Sequence, residues 1–456
     1  MARDVDSGFL GHPIGLGWLC TAEFWERFSY YGMQSLLVLY MVHSLLLPGH
    51  VEHVQGFAAF RRGIEWVYGP LSAQALASAV FGLYAGLVYL TPLAGGLLAD
   101  RVMGRTWTVV LGASLMIVGH VLMAFDASFL LALLFLVLGV GCYKGNIASQ
   151  VGDLYVAADP RRGNAFQIFL LMAQLAGILT PLVCGTLGEV FGWHWGFACA
   201  AVGMGVGLAA YLLGRKTLPR PPVQTREAAA SPRRQLNGSE WRRVALLVAL
   251  LPVLAIGMVG NSQSFNVYVV WAERTYDLAL FGHAIPVTWL FSFAGVSGAV
   301  TIIASVMFWR WWRSRRREPD ELTLIILGTG LSTLAPVALA LAAFIHARTG
   351  LRVSLVWAGV FQIVNDIGFA NVAPIGQALY SRAAPKGLSA LMISVYYIHL
   401  FLANMLVGRL GGLLDLMSGV TFWLLHAGLM VLSAAILLVV RATVGKTLSP
   451  AYGLPD

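Results

Sequence analysis

Charge is scarce in this chain: 11% of its 456 residues are Asp, Glu, Lys or Arg, where a water-soluble domain carries about 25%. Scarcity on that scale, with 58% hydrophobic residues and a mean hydropathy of +0.75, excludes an ordinary soluble globular protein. Cysteine is nearly absent too. The four present, Cys20, Cys142, Cys184 and Cys199, lie in apolar stretches with no metal-ligand spacing, so they read as small packing residues. No glycine-rich phosphate loop, nucleophile elbow or metal-ligand cluster occurs, so neither an enzyme, nor a nucleotide-driven pump, nor a bound cofactor has support. The first apolar stretch, which follows Arg3, Asp4 and Asp6, is too long and too polar to be expected as a cleavable signal.

What the chain does have is long apolar runs. A membrane-crossing helix needs roughly 20 apolar residues. About twelve such segments are expected, at 16–46, 74–99, 106–125, 128–156, 164–190, 192–214, 242–272, 284–311, 321–346, 351–380, 386–414 and 420–442. Their unbroken character argues against the alternating strands of a membrane barrel. The net charge of +9 is spread over every second loop. Arg101 and Arg105, Arg161 and Arg162, Arg215 to Arg243, Arg310 to Arg317, Arg382 and Lys386, and Arg441 and Lys446 form one set. The intervening loops hold mainly Arg61, Arg62, Arg274, Arg348 and Arg352. This alternation is topological rather than a nucleic-acid patch, and the positive-inside rule puts the first set and both termini in the cytoplasm.

One linker stands out, at 215–241, rich in Pro, Arg, Ser and Ala, with Pro221-Pro222. It separates a half at 1–214 from a half at 242–456, six segments in each. That is the layout of the major facilitator fold, with substrate bound near the midplane between the halves. Segment 48–72 lies outside the spans and reads either as a structured loop or as a short amphipathic helix.

Functional chemistry is most legible in the first segment. Glu23, Glu26 and Arg27 fall at i, i+3 and i+4 and so share one helix face, which Tyr30 and Gln34 extend. Ionisable groups at membrane depth cost several kcal/mol unless they face a cavity and find partners. Lys144, inside the fourth segment, brings the balance to two acids and two bases. Such a cluster titrates as a set, so a proton entering it rearranges every pairing. The alternative is a static ion-pair network that orients two helices. His120 and His399 are lone histidines in apolar runs. Asn261, Asn266 and Tyr268 fit either a cavity or hydrogen bonds between helices.

Glu23-Phe-Trp-Glu-Arg-Phe-Ser-Tyr-Tyr-Gly-Met33 resembles the first-helix signature of the proton-dependent oligopeptide transporter family of the major facilitator superfamily. Gly141-Cys-Tyr-Lys-Gly-Asn-Ile147, followed by Gly152-Asp-Leu-Tyr155, resembles its fourth-helix signature. Gly192-Trp-His-Trp-Gly-Phe197 also matches, and the run from Gly96 to Arg105, with Asp100, Arg101 and Arg105, resembles the superfamily's loop motif. The resemblance covers nearly the whole chain. It implies an all-helical fold and a proton-coupled symporter importing small peptides or peptide-like solutes by alternating access. Glu23, Glu26 and Arg27 would be the coupling triad, Lys144 would pair with it and hold a substrate carboxylate, and Tyr30 would line the cavity. The implied partners are protons, the peptide-like substrate and the lipid bilayer, with a monomer as the functional form and a bacterial inner (plasma) membrane as the location.

The departures are as informative. Gln34 stands where the family has a peptide-binding arginine, Gln174 where it has a fifth-helix asparagine, and Leu170 where it has a tyrosine. A usual Glu-Gln pair reads Ser262-Gln263. The glutamate that grips the peptide amine reads Phe369, with Asp366 three residues earlier and nearly on the same face. The linker is also too short for the two extra helices of many bacterial members. These changes predict a narrowed or shifted substrate range, with ordinary dipeptides carried poorly and a masked or absent amino end preferred, unless Asp366 supplies the missing charge. A non-peptide or acidic solute, and a transporter-like receptor or sensor, remain the alternatives.

Overall fold

The computed structural model describes residues 8–156, 159–219, 236–316, 319–385 and 388–448. Helix dominates, because a chain so rich in apolar residues can satisfy its backbone in a membrane only through intrasegment hydrogen bonds. The first helix, α1, spans Ile14–Tyr40 and runs on into a π-turn at Met41–Leu45. Then come α2 (Phe57–Tyr68), α3 (Ala73–Leu98), α4 (Gly104–Leu122), α5 (Phe129–Asp153), α6 (Arg161–Thr180) and α7 (Trp193–Gly214). Thus segment 48–72 contains a true helix, α2, with Phe57 and Ile64 buried and Trp66 exposed.

The seventh expected segment is broken into three helices: α8 (Gly238–Gly257), α9 (Val259–Gln263) and α10 (Val267–Thr275). A capping box starts α8, with the Glu240 amide donating to Asn237 Oδ1 (2.8 Å) and the Asn237 amide to Glu240 Oε2 (3.0 Å). The break at 264–266 exposes backbone only where it is buried in protein, as membrane depth requires. A two-residue hairpin, Ala279–Leu280 with His283–Ala284, precedes α11 (Trp289–Arg313). Then follow α12 (Glu321–Ser332), α13 (Leu334–Thr349), α14 (Val356–Ala383), α15 (Ser389–Tyr396), α16 (Ile398–Gly411) and α17 (Gly419–Leu448). Among the described residues, eight helical stretches are long and apolar enough to cross a membrane. The stretch of α1 is not one of them, because Glu23, Glu26, Arg27, Tyr30 and Tyr31 occupy its middle.

The chain divides into two compact units. One is Met1–Phe60 with Leu87–Arg234, the other Arg61–Gly86 with Gln235–Asp456. The division is thus not a plain halving at the linker, and the reason lies in α3. Its early turns belong with the second unit, where a Cβ on Gly82 would stand 2.5 Å from the Asn404 carbonyl of α16. Ser78 Oγ donates to the Gly408 carbonyl at 3.1 Å. Its later turns belong with the first unit, where Thr91 donates to the Val137 carbonyl of α5 (3.1 Å) and Gly95 meets the Gly141 backbone. Small residues on both faces permit this close backbone approach. Most of the expected linker, with Pro221, Pro222, Arg226 and Arg233, lies outside the described residues, as do Arg317 and Lys386.

Candidate functional site

In the first unit the helical repeat of α1 brings Glu23, Glu26 and Arg27 onto one buried stripe. Their relative exposures of 6%, 0% and 5% leave almost nothing to solvent or lipid. Arg27 Nε lies 3.1 Å from Glu23 Oε1 and 2.5 Å from Glu26 Oε2, so one guanidinium serves two carboxylates. Its face also lies against Tyr30, 5.2 Å from the ring centroid. The ion pairs leave hydrogen-bonding capacity over: Glu23 Oε2, Glu26 Oε1 and Arg27 Nη2 are buried without a hydrogen-bond partner among the described residues.

Lys144 enters from α5. Its charge acts on both Glu23 and Glu26, but it does not pair with either in the way the sequence leads one to expect. Among the described residues no carboxylate comes within 4.0 Å of it, and its Nζ sits 5.0 Å from the ring centroid of Tyr89 on α3. The ring holds the ammonium without neutralising it. Tyr89 carried no signal in the sequence, since a tyrosine in an apolar run reads as packing. Gln34 on α1 and Gln174 on α6 are both half-buried.

The loop motif divides. Arg105 forms its ion pair with Asp153 at the end of α5, while Asp100 and Arg101 are exposed and have no ion pair among the described residues. Asp153 therefore belongs to the latch, although it stood in the fourth-helix motif. Tyr155 of the same motif binds His12, with Oη 2.8 Å from Nδ1.

In the second unit a different polar site lies on α14. Asp366 is buried (6% exposed) and accepts from Gln362 Nε2 at 2.8 Å, a local i,i+4 bond. Ser297 of α11 and Asn365 stand beside the carboxylate. Its Oδ2 has no hydrogen-bond partner, and no Lys or Arg within 4.0 Å, among the described residues. Both amide atoms of Asn365 and of Gln263, in α9, are likewise buried without partners, as is Ser297 Oγ. Asn261 is half-buried in the same short helix, and Phe369 is half-buried against the apolar core around Leu254, Tyr380 and Tyr396. Gln362, Asn365 and Ser297 were missed from the sequence, although Gln362 was findable from its spacing to Asp366. Asn266 is structural: its Nδ2 donates to Ser78 Oγ at 2.7 Å. His399 Nδ1 donates locally to the Tyr396 carbonyl, and the imidazole of His120 is wholly buried.

Comparison with known proteins gives a consistent answer. A family model described as the POT family matches residues 106–230. An uncharacterized transporter, YclF, of Bacillus subtilis is 28% identical over 90% of this chain and 89% of its own length. A di-/tripeptide transporter of Lactococcus lactis subsp. lactis is 26% identical, covering 97% of this chain and 98% of its own. A crystal structure of a peptide transporter POT in complex with sulfate superposes with a TM-score of 0.80 at 26% identity, covering 96% of both chains. These relatives are transporters and not enzymes, and the shared architecture is the major facilitator fold. The chain is an integral membrane protein similar to transporters of the POT family, whose model matches it over residues 106–230.

Proposed function

We propose that the protein is a proton-coupled symporter that imports small peptides or peptide-like solutes by alternating access, from a plasma membrane with both termini in the cytoplasm. The observation that carries the reading is the buried Glu23–Arg27–Glu26 cluster, with Lys144 resting on Tyr89 and no carboxylate within 4.0 Å of it among the described residues. Two acids and two bases sum to zero. Protonating one carboxylate removes its claim on Arg27 and leaves the cluster with one surplus positive charge, which a substrate carboxylate then answers. Each proton brings about 2.3 kcal/mol per 100 mV of membrane potential, which drives accumulation.

The same physics assigns the amino end. Phe369 cannot pair with an ammonium, but Asp366 is a buried carboxylate without a cationic partner among the described residues, and it is lined by amide groups. A substrate ammonium supplies the missing charge. Asp366 is therefore the amine anchor, one turn from its usual place, and free dipeptides are substrates. The relatives named as di-/tripeptide and peptide transporters support the peptide class.

Purified protein in proteoliposomes tests both parts. Adding a dipeptide under an inward proton gradient is expected to start proton influx together with uptake. Uptake without proton movement would sink the coupling, and uptake of N-acetylated but not free dipeptides would sink the assignment of Asp366.

A further inference from the structure

The last turns of α11 and the turn that follows it read Phe308-Trp-Arg-Trp-Trp-Arg-Ser-Arg-Arg316. The whole stretch from Trp289 to Arg316 contains no acid. Trp309 faces inward, its Nε1 donating to Asn371 Oδ1 of α14 at 2.6 Å, which fixes this end of the helix. Phe308 packs on Trp311 and Trp312, with both centroid distances 5.9 Å. Each of these tryptophans then carries an arginine one turn on: the Arg315 guanidinium lies 4.7 Å from the Trp311 ring, and that of Arg316 lies 5.1 Å from Trp312. Both arginines are exposed, and neither has a carboxylate within 4.0 Å among the described residues. Stacking on an indole positions a guanidinium but leaves its charge and its hydrogen-bonding edge available.

These arginines crown a continuous apolar stripe. Val296, Val300, Ile303, Met307 and Trp311 follow one another at helical spacing, and each is 45–65% exposed. Arg315, in the turn just past the helix, lies over Trp311 at the end of that line. From Val296 to Trp311 the stripe runs about 22 Å at 1.5 Å per residue, longer than half of a hydrocarbon core about 30 Å thick. An acyl chain can lie along it while the headgroup reaches the guanidinium groups.

We propose that the end of α11 is a binding site for an anionic phospholipid, with Arg315 and Arg316 holding the phosphodiester and the Val296–Trp311 stripe taking an acyl chain. Charge complementarity selects the occupant: a zwitterionic headgroup brings its own cation next to the arginines, whereas phosphatidylglycerol brings a net negative charge. Two pre-oriented guanidinium groups suit a phosphate geometrically, and lysines would not replace them equally.

The full-length protein in detergent is incubated with equal amounts of phosphatidylglycerol and phosphatidylcholine of identical acyl chains, and retained lipid is counted by native mass spectrometry. A several-fold excess of phosphatidylglycerol is expected on the wild-type protein. It should fall to parity in the Arg315→Gln/Arg316→Gln double variant and decline in Trp311→Leu/Trp312→Leu, with melting temperatures without added lipid reporting that both variants fold. Equal retention by the wild-type protein overturns the proposal without recourse to a variant. So does a preference that survives in the arginine variant. Equal thermal stabilisation by inorganic phosphate or glycerol phosphate would mark an anion site and not a lipid site, and overturns it too.

Discussion

The two units hold their buried charge in opposite ways. In the first, Arg27 sits between Glu23 and Glu26, so the carboxylates meet a counterion supplied by the same helix. In the second, Asp366 has an amide for company and no cation within ion-pair distance among the described residues. A charge with a built-in partner can be switched, because protonation exchanges one internal arrangement for another. A charge without one must be neutralised from outside, by a proton or by a ligand's cation. Within the proposed transport cycle the first arrangement suits coupling and the second suits recognition.

The largest expected effect comes from making the first unit unswitchable. Glu26→Gln fixes a neutral side chain against Arg27, so concentrative uptake under a proton gradient should be lost. Exchange of substrate at equal concentrations should persist, since it needs no net proton movement. Lys144→Ala should act in the same direction by removing one of the two bases. Normal accumulation by both variants in a proteoliposome uptake assay would place the coupling elsewhere.

Breaking the second unit should cost less and should cost it selectively. A hydrogen bond to a charged group is worth about 1.5–3 kcal/mol, and 1.4 kcal/mol is tenfold. Asp366→Asn is therefore expected to raise the KM for free dipeptides about 10- to 100-fold, while N-acetylated dipeptides change little. Equal losses for both would mean that Asp366 shapes the helix and not the amine site.

Smaller again is the latch outside the two sites. The Arg105–Asp153 pair joins α4 to the end of α5, and both side chains are 30% exposed. A pair so exposed to water contributes about 1 kcal/mol or less, so Arg105→Ala should lower the melting temperature only slightly. A loss of transport much larger than this stability change would show that the latch moves during the cycle.

The smallest effect concerns pH at the loop helix α2. Bonds from Arg61 Nε (2.9 Å) and from the Leu71 amide (3.2 Å) hold the Glu65 carboxyl below its ordinary range. A depressed carboxyl contributes stability at pH values above its unfolded value and loses it as pH falls through its folded value. The protection factor of the Leu71 amide, its exchange rate relative to the intrinsic rate at the same pH, should therefore be high at neutral pH and fall only under acid conditions, with Glu65→Gln low throughout.

Much of this was legible in the sequence, and the legible part is local. The Glu23–Glu26–Arg27 stripe follows from helical spacing alone, because residues three and four apart must neighbour one another. The apolar segments announced a helical membrane protein for the same reason: each helix closes its own hydrogen bonds. The break in the seventh segment was not announced, since α8, α9 and α10 read as one apolar run and only their packing decides where the helix yields. Nor was the membership of α3 in both units, which rests on glycines meeting the backbones of α5 and α16.

The sequence by itself thus determined the helices, the buried charges and which of them share a face. Only the tertiary structure decided that Lys144 rests on Tyr89, that Arg105 finds Asp153, that Asn266 serves packing through Ser78, and that Asp366 has no cation within ion-pair distance among the described residues. The physical reason is common to the three partnerships and to the missing one. A helix fixes neighbours within about one turn, whereas these partnerships join residues dozens to hundreds of positions apart, and they exist only once the helices have chosen which faces to bury against each other.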